Sequence, residues 1–261
     1  MTAQPMIYGP SLQGVGAFDG GKITEQKPIG FGGEGAVVKR VGPLFYWAWA
    51  QSKEEGYIPL HPHQAFEIMT YVIKGHAQHG DTLGTKSVVG AGGAQVMQTG
   101  SGVSHEERFI GPDMEGFQIW FEPYIQEALQ RQPTYSQYEH DEFPILKGDG
   151  FVSKTVLGPV SPISLVADAQ MWDVQIEPGK SFQHAAKSGY TLTALAIRGS
   201  GNIRPASDNA GTAHSLQHKD FMTWRADSEL EAVFTAADDE ALRLIIIEVP
   251  TQVSYPLFPK R

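Results

Sequence analysis

The stretch His61-Pro62-His63-Gln64-Ala65-Phe66-Glu67-Ile68-Met69-Thr70-Tyr71-Val72-Ile73-Lys74-Gly75 decides the fold. It opens on two histidines at i and i+2, which a β-strand projects to one face. It runs on through β-branched and aromatic residues and stops at Lys74-Gly75, a strand closed by a turn signal. Further along, His105-Glu106-Glu107 sets His105 and Glu107 at the same spacing. Two such pairs on facing strands would bring three imidazoles and one carboxylate to one point. That donor set suits a divalent first-row metal. The odd positions pass from His61 and His63 through Glu67 to Met69 and Tyr71, so Met69 and Tyr71 are expected as the apolar floor of a pocket beside the ligands.

Outward from this stretch the chain is strand-like. Phe45-Tyr46-Trp47-Ala48-Trp49 is strongly β-prone, and Phe45, Trp47 and Trp49 are expected on one buried face. Residues 1–36 are rich in Gly, Pro and polar side chains and read as an N-terminal arm. Residues 122–132 are the best helix candidate, with Pro123 at a first helical position and Pro133 as the stop. The polar run 134–142 reads as a linker. The second half echoes the first: residues 66–75 and 190–199 share an aromatic start, an apolar run, a basic residue and a closing Gly at a constant offset of 124. The offset carries His61 to Ala185 and His63 to Lys187, so a single metal site is expected, in the first half. The expected domains are therefore 37–133, which binds metal, and 134–261, which does not.

Composition narrows the function. The 261 residues carry 20 Lys and Arg against 29 Asp and Glu, a formal net charge of −9, which disfavours a direct grip on nucleic acid. There is no cysteine, so thiolate ligands and disulfides are excluded. No apolar run approaches a membrane span, and the N-terminus shows no secretory pattern, so a cytoplasmic location is the expectation.

His61-Pro62-His63, Phe66-Glu67, Thr70-Tyr71-Val72, Gly75, His79 with Asp81, Leu83-Gly84 and Gly100-Ser101-Gly102-Val103-Ser104-His105-Glu106-Glu107 together resemble the pirin family of the cupin superfamily. Gln64 stands where the family usually has Arg. The resemblance implies an all-β fold of two tandem jelly-roll-like cupin barrels with a short helix in the linker. It places the metal ligands on His61, His63, His105 and Glu107. Glu67, a ligand in other cupins, is read as orienting a ligand histidine through its free N–H. The resemblance also implies one divalent transition metal, iron first, with copper, nickel, manganese and zinc as alternatives. Quercetin 2,3-dioxygenase activity would then make a small aromatic flavonol the substrate and Glu107 the catalytic base. A non-enzymatic regulator that binds a protein partner is the competing expectation. His79 and Asp81 are read as a structural hydrogen bond.

Overall fold

The computed structural model describes residues 4–207 and 213–259. The fold is all-β, and the chain divides into two compact units. One comprises Leu12–Glu142, Leu165–Ala167 and Ser254–Arg261; the other comprises Met1–Ser11, Phe143–Ser164 and Asp168–Val253. Among the described residues, no helix is long and apolar enough to cross a membrane.

The first unit is built on a nine-stranded sheet. Its main path runs Thr134–Tyr138, Ala94–Gln98, Glu67–Asp81, Val103–Phe121, Leu44–Ser52, Ile23–Ile29, Gly14–Phe18. Gly56–His63 and Lys86–Gly90 pair off this path with Val103–Phe121 and Glu67–Asp81. These last two are the longest strands, of 19 and 15 residues. Each changes partner along its length: Val103–Phe121 lies beside Gly56–His63 at its start and Leu44–Ser52 at its end. The register between the long strands slips at Val72/Lys74 and again at Lys74/His76. Gly75 sits at the slip with φ +76°, where a Cβ would stand 3.0 Å from Met114 Cα, so both conformation and space call for glycine.

The other unit places a seven-stranded sheet with a four-stranded one. The first runs Met6–Tyr8, Phe221–Ala226, Tyr190–Arg198, Leu242–Pro250, Gln170–Ile176, Phe151–Leu157, Ile145–Gly148. The second runs Ser181–Ala186, Leu230–Ala236, Gly201–Pro205, His214–Leu216. Alternate residues from both, such as Leu192, Ala194, Ile246, Ile203 and Phe234, form one buried cluster. The internal echo is structural as well. Gly199 has φ +67°, and the register between Tyr190–Arg198 and Leu242–Pro250 slips at Ala196/Arg198, the positions that Val72 and Lys74 reach at the sequence offset.

Three expectations need correction. The arm expected over residues 1–36 is, among its described residues, built into the sheets. Met6–Tyr8 pairs with Phe221–Ala226, while Gly14–Phe18 and Ile23–Ile29 extend the nine-stranded sheet. Ile23 and Ile29 are fully buried, and the positions between them that share their face hold Glu25 and Lys27, charges that disguise a core strand. Thr134–Tyr138 is an edge strand of the first unit, paired with Ala94–Gln98, so the division falls after Glu142 rather than at 133/134. The helix expected over 122–132 is confined to Ile125–Ala128; only Ala128 of it is buried, too little apolar contact to hold a longer helix.

Candidate metal centre

The strand Gly56–His63 and the start of Val103–Phe121 pair antiparallel, with His61 opposite His105. Alternation along Val103–Phe121 turns Val103, His105, Glu107 and Phe109 inward. The three imidazoles form a tight triangle, with ring centroids 4.7 Å apart for His61 and His63, 4.5 Å for His61 and His105, and 4.9 Å for His63 and His105. One nitrogen of each lies within 4.8 Å of the others, a set able to share one ion.

The electrostatics keep two of these rings, His63 and His105, neutral. Burial, with the neighbouring His61, pushes His63 down to about 4. Burial, with His61, His63 and His79 beside it, pushes His105 down to about 2. A neutral imidazole offers a lone pair, and a hydrogen bond at the other nitrogen fixes which one. Nδ1 of His61 lies 2.8 Å from the Pro59 carbonyl and donates to it, which leaves Nε2 as the acceptor. Nε2 of His63 is buried and has no hydrogen-bond partner. Such a group costs on the order of 1–3 kcal/mol if left unsatisfied. A cation at the centre of the triangle would satisfy it, so the residues present fit a divalent metal.

Glu107 is placed differently from the expectation. It is not in the group of three, and its carboxyl accepts hydrogen bonds from Gln118 and Thr70. Burial, with the negative charge of Glu25 behind it, pushes the carboxyl up to about 7 despite those bonds. Gln118 is fixed in turn by Trp120, whose Nε1 donates to its Oε1 at 2.8 Å. The Trp120 ring stands edge-on to His63 at 4.9 Å. Behind this layer, Tyr46 donates to Glu25 at 3.4 Å, and the buried Lys27 bridges Glu25 at 3.1 Å and Glu34 at 2.6 Å.

Glu67 does not orient a histidine. Its carboxylate accepts from Gln98 Nε2 at 2.6 Å and from the backbone N–H groups of Val166 and Ala167 at 2.7 and 2.8 Å, tying that short segment to the unit. Met69 and Tyr71 are also displaced from the expected pocket. Both are fully buried, but Thr70, not they, reaches Glu107, so they point to the opposite face of the strand. The register slips around Gly75 carry the inward face from even positions (Thr70) to odd ones (His79). The same change runs along the partner strand, from His105 and Glu107 to Gln118 and Trp120. Phe45 likewise parts from Trp47 and Trp49: a register shift between Leu44 and Tyr46 lets it cluster with Tyr46 and Ala48. The reading of His79 and Asp81 holds, at 2.8 Å, with His79 stacked on Tyr135 at 4.3 Å. A cavity of about 560 Å³ lined by Pro62, His63, Gln64, Thr82 and Ser104 opens on His63. Gln118, Thr70 and Trp120 escaped the sequence reading; a glutamine inside the apolar run 117–121 was their one visible signal.

A family profile described as Pirin matches residues 45–121. Two pirin-like proteins of Caulobacter vibrioides are similar to the chain. One is 33% identical over 165 residues, 59% of this chain and 58% of the relative's length. The other is 30% identical over 180 residues, 65% of this chain and 74% of the relative. Among solved structures, the bacterial pirin YhhW of Escherichia coli in complex with nickel(II) superposes with TM-score 0.75 at 19% identity, covering 95% of this chain and 99% of that one. A quercetin 2,3-dioxygenase of Acinetobacter baumannii superposes with TM-score 0.76 at 18% identity, covering 96% and 87%.

Proposed function

The chain belongs to the pirin family of cupins, and from that premise we propose that it is a metal-dependent dioxygenase acting on quercetin-like flavonols. The observation that carries this reading is the buried, unpartnered Nε2 of His63 inside a triangle of three imidazoles, beside a carboxyl with a pKa of about 7. His61, His63 and His105 would hold the ion, with Glu107 as the fourth group at the site. When bound, the metal supplies Lewis acidity to the substrate oxygens. The chain's own residues do the rest. Glu107 takes the proton of the flavonol hydroxyl, and a pKa near the working pH suits a base. Gln118 and Thr70 aim its carboxyl, and Trp120 locks Gln118 while shielding His63 from water. The cavity at His63 gives a flat substrate its way in. The Acinetobacter neighbour is a quercetin 2,3-dioxygenase and the YhhW pirin forms a complex with nickel(II); both support the reading by fold.

The test is oxygen uptake with quercetin, on protein loaded singly with iron, copper, nickel, manganese or zinc and assayed for metal content. Uptake should scale with metal occupancy and disappear in His63→Ala. No uptake with any of the five metals at full occupancy would sink the proposal. Glu107→Gln separates base from ligand: a base predicts retained metal and lost turnover, a ligand alone predicts that the two fall together.

A further inference from the structure

A cavity of about 880 Å³ in the same unit is lined by Trp120, whose ring also contacts His63, but not by His63 itself. Its walls are the rings of Phe31, Phe45, Phe66 and Trp120, in mutual contact at centroid distances from 4.6 to 6.4 Å. Residues of the C-terminal segment, Phe258 and Pro259, close one side. The polar floor is Glu122, fully buried, and Arg40. Glu122 Oε2 accepts from Arg40 at 2.7 Å, and Oε1 accepts from the Phe258 N–H at 2.5 Å. Arg40 also donates to the carbonyls of Phe258 at 3.0 Å and Gly42 at 3.3 Å, which leaves its Nε–H without an acceptor among the described residues. Outside the lining, Lys39 donates to the Phe31 carbonyl at 3.4 Å, and the Phe31 N–H donates to Glu34 at 2.6 Å.

We propose that this aromatic cavity is a second small-molecule site, for a planar aromatic anion such as an aromatic carboxylate or phenolate. The volume falls in the range of sites for drug-sized ligands. Four rings around one space present faces and edges to a flat ligand, a preference that an aliphatic pocket lacks. The lining charges set the sign: both oxygens of Glu122 are engaged, so a ligand oxygen at the Arg40 end meets N–H donors. None of the three histidines lines this space, so the site does not depend on the metal or on the activity proposed above.

The test is calorimetric titration of the full chain with 2-naphthoate and its neutral isostere 2-naphthamide. 2-Naphthoate should bind one per chain, at least about fivefold tighter than 2-naphthamide, in metal-free and metal-loaded protein alike and in His63→Ala. Phe31→Ala should weaken both ligands by about tenfold. Arg40→Gln should weaken 2-naphthoate about tenfold and 2-naphthamide little, with Arg40→Lys intermediate. Near-ultraviolet circular dichroism checks that each variant folds; if Phe31→Ala does not, Phe31→Leu replaces it. Binding that needs the metal or His63 would overturn the proposal, as would equal affinity for the two naphthalenes, indifference to Phe31 and Arg40, or saturation only above millimolar ligand.

Discussion

Each unit sets a histidine edge-on to a tryptophan: His63 against Trp120 at 4.9 Å, and His184 against Trp172 at 4.6 Å. The two differ at one atom. His184 Nε2 lies 2.9 Å from Glu248, whose other oxygen accepts the Lys187 N–H at 3.0 Å. His63 Nε2 meets no acceptor or donor, and two further imidazoles converge on it. The first arrangement is a closed hydrogen-bond system, complete without a cation. The second is an electron-rich point left open. Both rings meet a tryptophan edge in the same way, so that contact does not mark a ligand; the satisfaction of the last lone pair does.

The largest expected effect breaks the comparison at its open end. His63→Ala and His105→Ala should each lower metal affinity on the order of 100-fold or more, while His184→Ala should leave it unchanged, read by elemental analysis after dialysis. A stoichiometry near two metals per chain would show that the second unit is not closed.

Stability should respond in the opposite sense. In metal-free protein, Glu248→Ala leaves the His184 ring and the Lys187 N–H buried without their acceptor, a loss on the order of 2–4 kcal/mol by chemical denaturation. His63→Ala removes an atom that has no partner and should cost less than Glu248→Ala. Equal losses would mean that the His63 nitrogen is satisfied in solution. Glu67→Gln should cost on the order of 1–3 kcal/mol, because an amide cannot accept from all three donors that now converge on it, while metal content stays constant. A fall in metal content would return Glu67 to the role of orienting a ligand.

Protons sharpen the same contrast. At pH 6, His63 and His105 are already neutral and have none to release, whereas Glu107, raised to about 7, is mostly protonated. Metal binding at pH 6 should therefore release close to one more proton from the wild type than from Glu107→Gln, measured in buffers of different ionisation heat. The sign for stability follows from the raised carboxyl. Its contribution is full below the unfolded value of 4.5 and is lost as pH rises through about 7, so metal-free wild type should lose stability relative to Glu107→Gln across that window. Identical proton release from both proteins would remove Glu107 from the metal centre.

The parts legible in the sequence were those carried by short, repeated spacing. The pairs His61/His63 and His105/Glu107 needed only the two-residue period of a strand, and the three imidazoles do meet. The echo between residues 66–75 and 190–199 was visible because the same backbone event recurs, a left-handed glycine beside a register slip. The reading was limited elsewhere. Counting odd positions from His63 on to Met69 and Tyr71 assigns the wrong face, because the chain leaves the strand Gly56–His63 and enters Glu67–Asp81 through residues 64–66, where Ala65 has φ +70°. The strand Ile23–Ile29 was hidden for another reason: its inward positions include Glu25 and Lys27, acceptable in a core only because they pair with each other and with Glu34. The hold of Glu67 on Val166 and Ala167 spans a hundred residues, and no local pattern announces it.

The smallest expected effect tests that turned face directly. Met69 lies opposite Val96 and Ile119, and Thr70 lies opposite Gln95 and Gln118. Side chains at adjacent positions leave opposite sides of the sheet, so only one of the two can border Glu107. Met69→Leu conserves volume and polarity and should change kcat/KM for quercetin by less than about twofold. Thr70→Val conserves shape and removes the hydroxyl that donates to Glu107. That bond lowers the Glu107 pKa, so its loss should move the acid limb of the pH–rate profile toward higher pH, with little change at alkaline pH. A shift of the limb in Met69→Leu, with none in Thr70→Val, would restore the odd-numbered face as the wall of the pocket and undo the assignment of Gln118 and Trp120 as neighbours of the carboxyl.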